Sequence, residues 1–133
     1  MKNNFPDGVW PVMLTPFTEG NKVDYQALEK LVSWYIENGA AGLFAVCQSS
    51  EMFYLTLDES KAIARFVKKC AGKTPVIASG HISDNFENQV CELNEISQTG
   101  VDALILITNR LAREEDSDDV LLDNLENLIA RLP

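Results

Sequence analysis

Four apolar runs alternate with four stretches of helical periodicity along this chain, and that alternation restricts the fold more than any other feature. The runs cover residues 9–15, 41–47, 75–79 and 101–108. They are apolar at successive positions rather than at every second one, which marks strands buried on both faces beneath helices. A helix between each pair of strands returns the chain so that the next strand lies parallel to the last. An internal repeat agrees: Gly39-Ala40-Ala41-Gly42-Leu43 before the second run returns as Gly100-Val101-Asp102-Ala103-Leu104 before the fourth. The expected class is α/β, of the (β/α)8 TIM-barrel type. A closed barrel takes about 250 residues; the 133 residues here hold about four βα units, half a barrel.

Punctuation places the helices. The first is expected from near Asp24 to Asn38-Gly39, with Leu28, Leu31, Val32, Tyr35 and Ile36 on one face. Thr56-Leu57-Asp58-Glu59 reads as a capping box for the second, which carries Ile63, Phe66, Val67 and Cys70 inward and stops at Gly72. Asp84 with Glu87 offers the same box to the third, with Phe86, Val90, Leu93 and Ile96 as its inner stripe. The fourth is expected from Ser117, burying Leu121, Leu125, Leu128, Ile129 and Leu132.

Composition narrows the function. A formal charge of −9 argues against nucleic acid and against an anionic membrane surface, since phosphate contacts need clustered Lys or Arg. Cys47, Cys70 and Cys91 form neither a close pair nor a metal-ligand spacing, and the two on helices read as small buried hydrophobes. That usage suits a reducing compartment, and with no signal peptide or membrane-length apolar run the expected location is cytoplasmic.

In parallel βα folds the ligand site lies beyond the carboxyl ends of the strands. Four places qualify: Thr15-Pro16-Phe17, Gln48-Ser49-Ser50-Glu51, Gly80-His81-Ile82-Ser83 and Asn109-Arg110-Leu111. The second offers an amide, two hydroxyls and a carboxylate, a set that holds a small carboxylate or carbonyl; an ordinary polar loop is the plain alternative. His81 is the single histidine and stands where a strand-end residue faces the site, yet a lone histidine is more often a hydrogen-bonded bystander. Arg110 suits an anionic ligand or a solvated rim equally. The acidic run Glu114, Glu115, Asp116, Asp118 and Asp119 is read as charge complementing a helix start rather than as a metal site. Phosphate-binding glycine loops are absent, and neither metal nor cofactor is expected.

With these residues placed, the sequence resembles the N-terminal half of the dihydrodipicolinate synthase / N-acetylneuraminate lyase family of class I pyruvate-type aldolases. The resemblance rests on Thr15-Pro16-Phe17, the Asn38 to Leu43 approach to the second run, Glu51 followed by Leu55-Thr56 and Glu59, and Gly80. It implies one domain, 1–133, that is the N-terminal half of a TIM barrel. It also implies a carbon–carbon lyase that binds pyruvate or another small 2-oxo acid as a lysine Schiff base, usually in a tetramer. In that family the loop after strand two reads Gly-Thr-Thr-Gly-Glu or a close variant, the first hydroxyl relaying protons and the second holding the substrate carboxylate. Here Cys47-Gln48-Ser49-Ser50-Glu51 puts Gln48 at the relay position, where an amide passes protons poorly, and keeps Ser49 as the carboxylate-binding hydroxyl. Ser50, Thr15, Glu51 and Arg110 complete the substrate-binding candidates. After strand four the family's synthases carry Thr-Pro-Tyr-Tyr, where this chain has Thr108-Asn109-Arg110-Leu111; the two departures point to another 2-oxo acid or to no activity.

The resemblance places the Schiff-base lysine and the main catalytic tyrosine beyond Pro133. No lysine in the chain has the apolar setting a replacement needs: Lys2 and Lys22 fall in loops, Lys30, Lys61, Lys68 and Lys69 on helices, and Lys73 before the third run. The chain alone is therefore expected to be inactive, and to aggregate, form a homo-oligomer (dimer or tetramer) or join a missing C-terminal half. The strand-facing side chains Val12, Leu14, Phe44, Val46, Ile77, Leu104 and Leu106 would otherwise lack partners. The rival reading is a non-catalytic half-barrel binding or assembly module. A receiver-type signalling domain is set aside because Thr15-Pro16-Phe17 supplies no carboxylate for magnesium.

Overall fold

The computed structural model describes residues 5–133; Lys2 lies outside them. Helices and strands alternate as α1 (Tyr25–Glu37), β1 (Leu43–Phe44), α2 (Leu57–Cys70), β2 (Val76–Ala78), α3 (Phe86–Ser97), β3 (Ala103–Leu104) and α4 (Asp118–Ile129). The three strands form one parallel sheet in the order β1-β2-β3, with Phe44 opposite Ile77 and Ile77 opposite Ala103. This is the half-barrel arrangement expected.

The first apolar run joins the sheet through a single parallel bridge, Val12 to Phe44, rather than as a full strand. Met13 N donates to Phe44 O (3.0 Å) and Phe44 N to Pro11 O (3.1 Å). The ladder stops one step earlier because Pro11 has no N–H to give, and a proline of this kind belongs on an edge. All the ladders are shorter than the runs, and the second and fourth runs turn into tight 3-10 segments at their carboxyl ends.

Register divides the sheet into two faces. Leu43, Val76 and Ala78 point to the helices and are fully buried, packing with Leu28, Val32 and Ile63. Val12, Phe44, Ile77 and Ala103 share the other face, which no helix among the described residues covers; Val12 remains 47% exposed and Leu14 60%. Three of the seven expected inward residues behave differently. Val46 is fully buried, Leu104 aligns with Ala78 on the helix side, and Leu106 packs against a second cluster of Val90, Leu93, Leu111 and Leu128 under α3 and α4.

The caps of α1 and α2 are as expected. Asp24 Oδ1 accepts from Gln26 N and Ala27 N, and Thr56 and Glu59 form the reciprocal box. Gly39, at φ +85°, takes the left-handed turn that releases α1 toward β1. The α3 cap is Asn85, not Asp84: Asn85 Oδ1 accepts from Asn88 N at 3.0 Å, while Asp84 pairs with Arg110 and Glu87 with Arg131. On α4 only Leu128 is fully buried, and Ile129, expected inside, is 56% exposed. Cys91 is also exposed, one position off the α3 stripe, while Cys47 is buried; all three thiols are free. Between helices, Tyr25 meets Phe66 edge-on at 4.9 Å, and Lys61 pairs with Glu95 at 2.5 Å. Among the described residues no helix is long and apolar enough to cross a membrane.

Candidate functional site

The loop after β1 is shaped by a serine that never reaches solvent. Ser50 Oγ accepts from Cys47 N (3.1 Å) and points its own proton at Met13 O (2.6 Å), with Ala45 O at 3.1 Å. Thr15, nearly buried, donates its hydroxyl to Ser50 O at 2.8 Å. These bonds tie the loop to the first apolar segment and wind Gln48–Ser50 into a 3-10 turn. Glu51 follows in the left-handed region, φ +61°, exposed between that turn and the next, Met52–Tyr54. With Ser50 drawn inward, Gln48 and Ser49 are left exposed at the strand end.

They line one side of a cleft of about 390 Å³. Val12 and Phe44 from the open sheet face contribute its apolar lining, and Ile107, Thr108 and Asn109 form the side supplied by the fourth run. Of the residues at the four places read from sequence, Gln48, Ser49 and Asn109 line this cleft; Thr15 and Ser50 buttress it from within the fold. Arg110 turns away. Its Nη2 donates to Ile82 O and to Asp84 Oδ1 (2.8 Å), and its guanidinium lies over the Phe53 ring at 5.6 Å. There it borders a separate polar cleft of about 500 Å³ with Asp84, Arg113, Asp116 and Asn124. The acidic run leads into α4, with Asp118 and Asp119 in its first turn.

The wall containing Ile107 is held from behind by a buried polar chain. His81 is fully buried; its Nε2 accepts from Ile107 N at 2.7 Å, so the ring proton sits on Nδ1 and is donated to Gln89 Oε1 at 2.8 Å. Gln89 in turn donates its amide N–H to Arg110 O at 2.9 Å. Burial lowers the His81 pKa below its ordinary value; the bond to Gln89 and the charge of Glu92 oppose that, and Arg110 adds to it. The loop carrying His81 is itself fastened by Glu92, which accepts from Ile82 N (2.9 Å) and Ser83 N (3.2 Å). Both ring nitrogens of His81 are therefore engaged inside the fold.

Gln89 and Thr108 are site residues that sequence reasoning missed, whereas Asn109 stands in the fourth of the places read from sequence. For Gln89 the signal was available: it sits three residues after Phe86 and four before Leu93, a polar side chain within an apolar stripe. For Thr108 it was position alone, as the last residue of the fourth run.

The sequence model of the dihydrodipicolinate synthetase family matches residues 5–116. A 4-hydroxy-tetrahydrodipicolinate synthase from Methanococcus aeolicus is 37% identical over 102 residues, 76% of this chain and 35% of that protein. The chain thus spans about a third of the length of this curated relative. Among solved structures, a dihydrodipicolinate synthase from Bacillus anthracis superimposes with a TM-score of 0.80 at 26% identity, over 92% of this chain and 41% of its own. A prophage protein of the dihydrodipicolinic acid synthase family from E. coli K12, solved in complex with pyruvate, gives a TM-score of 0.80 at 25% identity, over 95% and 42%.

Proposed function

We propose, since this chain belongs to the dihydrodipicolinate synthetase family, that residues 1–133 are the N-terminal half of a TIM-barrel carbon–carbon lyase and supply the carboxylate-holding wall of its 2-oxo-acid site. The observation that carries this is the cleft at the carboxyl end of β1, where Ser49 is exposed beside an apolar lining suited to a small keto acid. In this reading the Ser49 hydroxyl donates to the substrate carboxylate and Thr108 and Asn109 bound the opposite side. Gln48 offers an amide where a relay hydroxyl would stand, so it orients substrate without passing a proton.

Among the described residues no lysine lines the cleft; Lys61 and Lys68 are paired with Glu95 and Asp102. In this reading the amine that forms the imine, with loss of the keto oxygen as water, comes from outside this chain, from a C-terminal half. That pyruvate is bound by a similar protein of the family supports the substrate class.

Pyruvate with borohydride, followed by intact-mass measurement, tests the assignment: the chain alone is expected to gain no reduced adduct. An adduct would place the imine on one of its own lysines and overturn this reading. Pyruvate titration followed by amide shifts is expected to perturb Gln48, Ser49, Thr108 and Asn109. Ser49→Ala should weaken binding about tenfold or more, the cost of one hydrogen bond to a charged group. Silence of those amides would remove the site. A second reading, a non-catalytic half barrel that assembles with a copy of itself, is favoured by one observation, the exposed Val12 and Leu14 on the uncovered sheet face.

A further inference from the structure

We infer that His81 and Gln89 are positioning residues for the 107–110 wall of the cleft, and that only the neutral, Nδ1-protonated histidine holds that wall in its ligand-ready shape. This rests on the reading of the cleft as the 2-oxo-acid site. The direction of the chain of bonds is fixed by its ends. Ile107 N and Arg110 O belong to the backbone and cannot exchange donor for acceptor, so Nε2 must accept and the Gln89 amide nitrogen must donate. His81 is fully buried and Gln89 is 2% exposed, so neither has solvent to fall back on.

Two bonds thereby grip the short turn Thr108–Arg110 at its entry and at its last residue, and that turn carries the cleft-lining Thr108 and Asn109. A second proton on the ring would make Nε2 a donor facing the Ile107 N–H. The bond at the entry would be replaced by repulsion, freeing the wall. The charged groups acting on His81 are Glu92 on α3 and Arg110 after β3; Arg110 is itself paired with Asp84. Burial outweighs the favourable Glu92 charge and sets the protonation step below the ordinary range of histidine.

The chain has a single histidine, so its ring signals are unambiguous in an NMR titration. The 15N pattern of the ring should show the Nδ1–H tautomer at neutral pH. The amides of residues 107–110 should shift together with the ring, at a midpoint below 6.5. Gln89→Glu places a carboxylate against Nδ1 and should raise that midpoint by about one pH unit or more. In His81→Asn the same amides should show no step in this range. Where pyruvate binds, its affinity should fall in wild type at the ring's midpoint, and at a higher pH in Gln89→Glu. An Nε2–H tautomer, an unchanged midpoint in a folded Gln89→Glu, or wild-type amides at 107–110 indifferent to ring protonation would each overturn the inference. The amide titration needs no ligand, so failure of pyruvate to bind would count against the site assignment and leave this test standing. Should Gln89→Glu not fold, the wild-type tautomer and the coincidence of ring and amide steps decide the matter.

Discussion

Two adjacent serines illustrate how exposure sets a side chain's consequence. Ser50 Oγ serves Met13 O, Ala45 O and Cys47 N in a fully buried setting, while Ser49 is exposed in the cleft. Removing the buried hydroxyl strands several main-chain groups, so Ser50→Ala should lower unfolding free energy by about 1–3 kcal/mol. Ser49→Ala should stay within about 0.5 kcal/mol of wild type. Urea unfolding of the two variants separates them, and equal midpoints would refute the division of roles. His81 carries a pH signature of the same kind. Unfolded, the imidazole titrates near 6.5; folded, burial holds it lower, so the folded state binds fewer protons between the two values. The His81 contribution is therefore complete above the unfolded value and is lost as pH falls through it, by at most about 1.4 kcal/mol per pH unit until the folded value is reached. Unfolding measured at a series of pH values in wild type and His81→Asn should show this difference and no other near pH 6.

At the scale of elements, local signals decided which expectations held. The box at Thr56 and Glu59 was legible because its residues need only their own helix; Thr56 accepts from Glu59 N at 3.2 Å and Glu59 accepts from Thr56 N at 2.8 Å. Asp84 and Asn85 are equally good caps by chemistry, and the choice between them was made by Arg110, which lies 26 residues away and draws Asp84 off the helix. No local pattern carries that information. Asn85→Ala should therefore cost about 1 kcal/mol and speed exchange of the Asn88 amide. Asp84→Ala should leave that exchange unchanged and cost less than about 1 kcal/mol, its ion pair being exposed. Faster exchange in Asp84→Ala would restore the capping box expected from sequence. The site divides in the same way. Gln48 and Ser49 were readable from their place after an apolar run, whereas the inward rotation of Ser50 and the turning away of Arg110 follow from partners distant in the chain. Pro11 was readable too, as a missing donor, yet the period-based reading gave its run the same weight as the others.

At the scale of the whole molecule, the described residues form a sheet with helices on one side only. On the other side Val12, Phe44, Ile77 and Ala103 lie in one row across the paired segments, with Leu14 further along, and this apolar surface ends at two unclosed edges. A parallel sheet is ordinarily covered on both faces, and closure into a barrel would both bury this row and abolish the edges. A net charge of −9 opposes self-association at long range and is screened by salt, whereas burial of the row is favoured at any ionic strength. The isolated chain is therefore expected to associate in a concentration-dependent way, more strongly as salt is raised. Val12→Lys with Leu14→Lys places charge on the open face without touching the helix-side core of Leu43, Val76 and Ala78. That double variant should sediment as a monomer and bind less of a hydrophobic dye, with an unchanged far-ultraviolet spectrum. If wild type is monomeric and dye-silent in high salt, the uncovered face has no drive to be covered, and half-barrel assembly is excluded as the way this chain buries it.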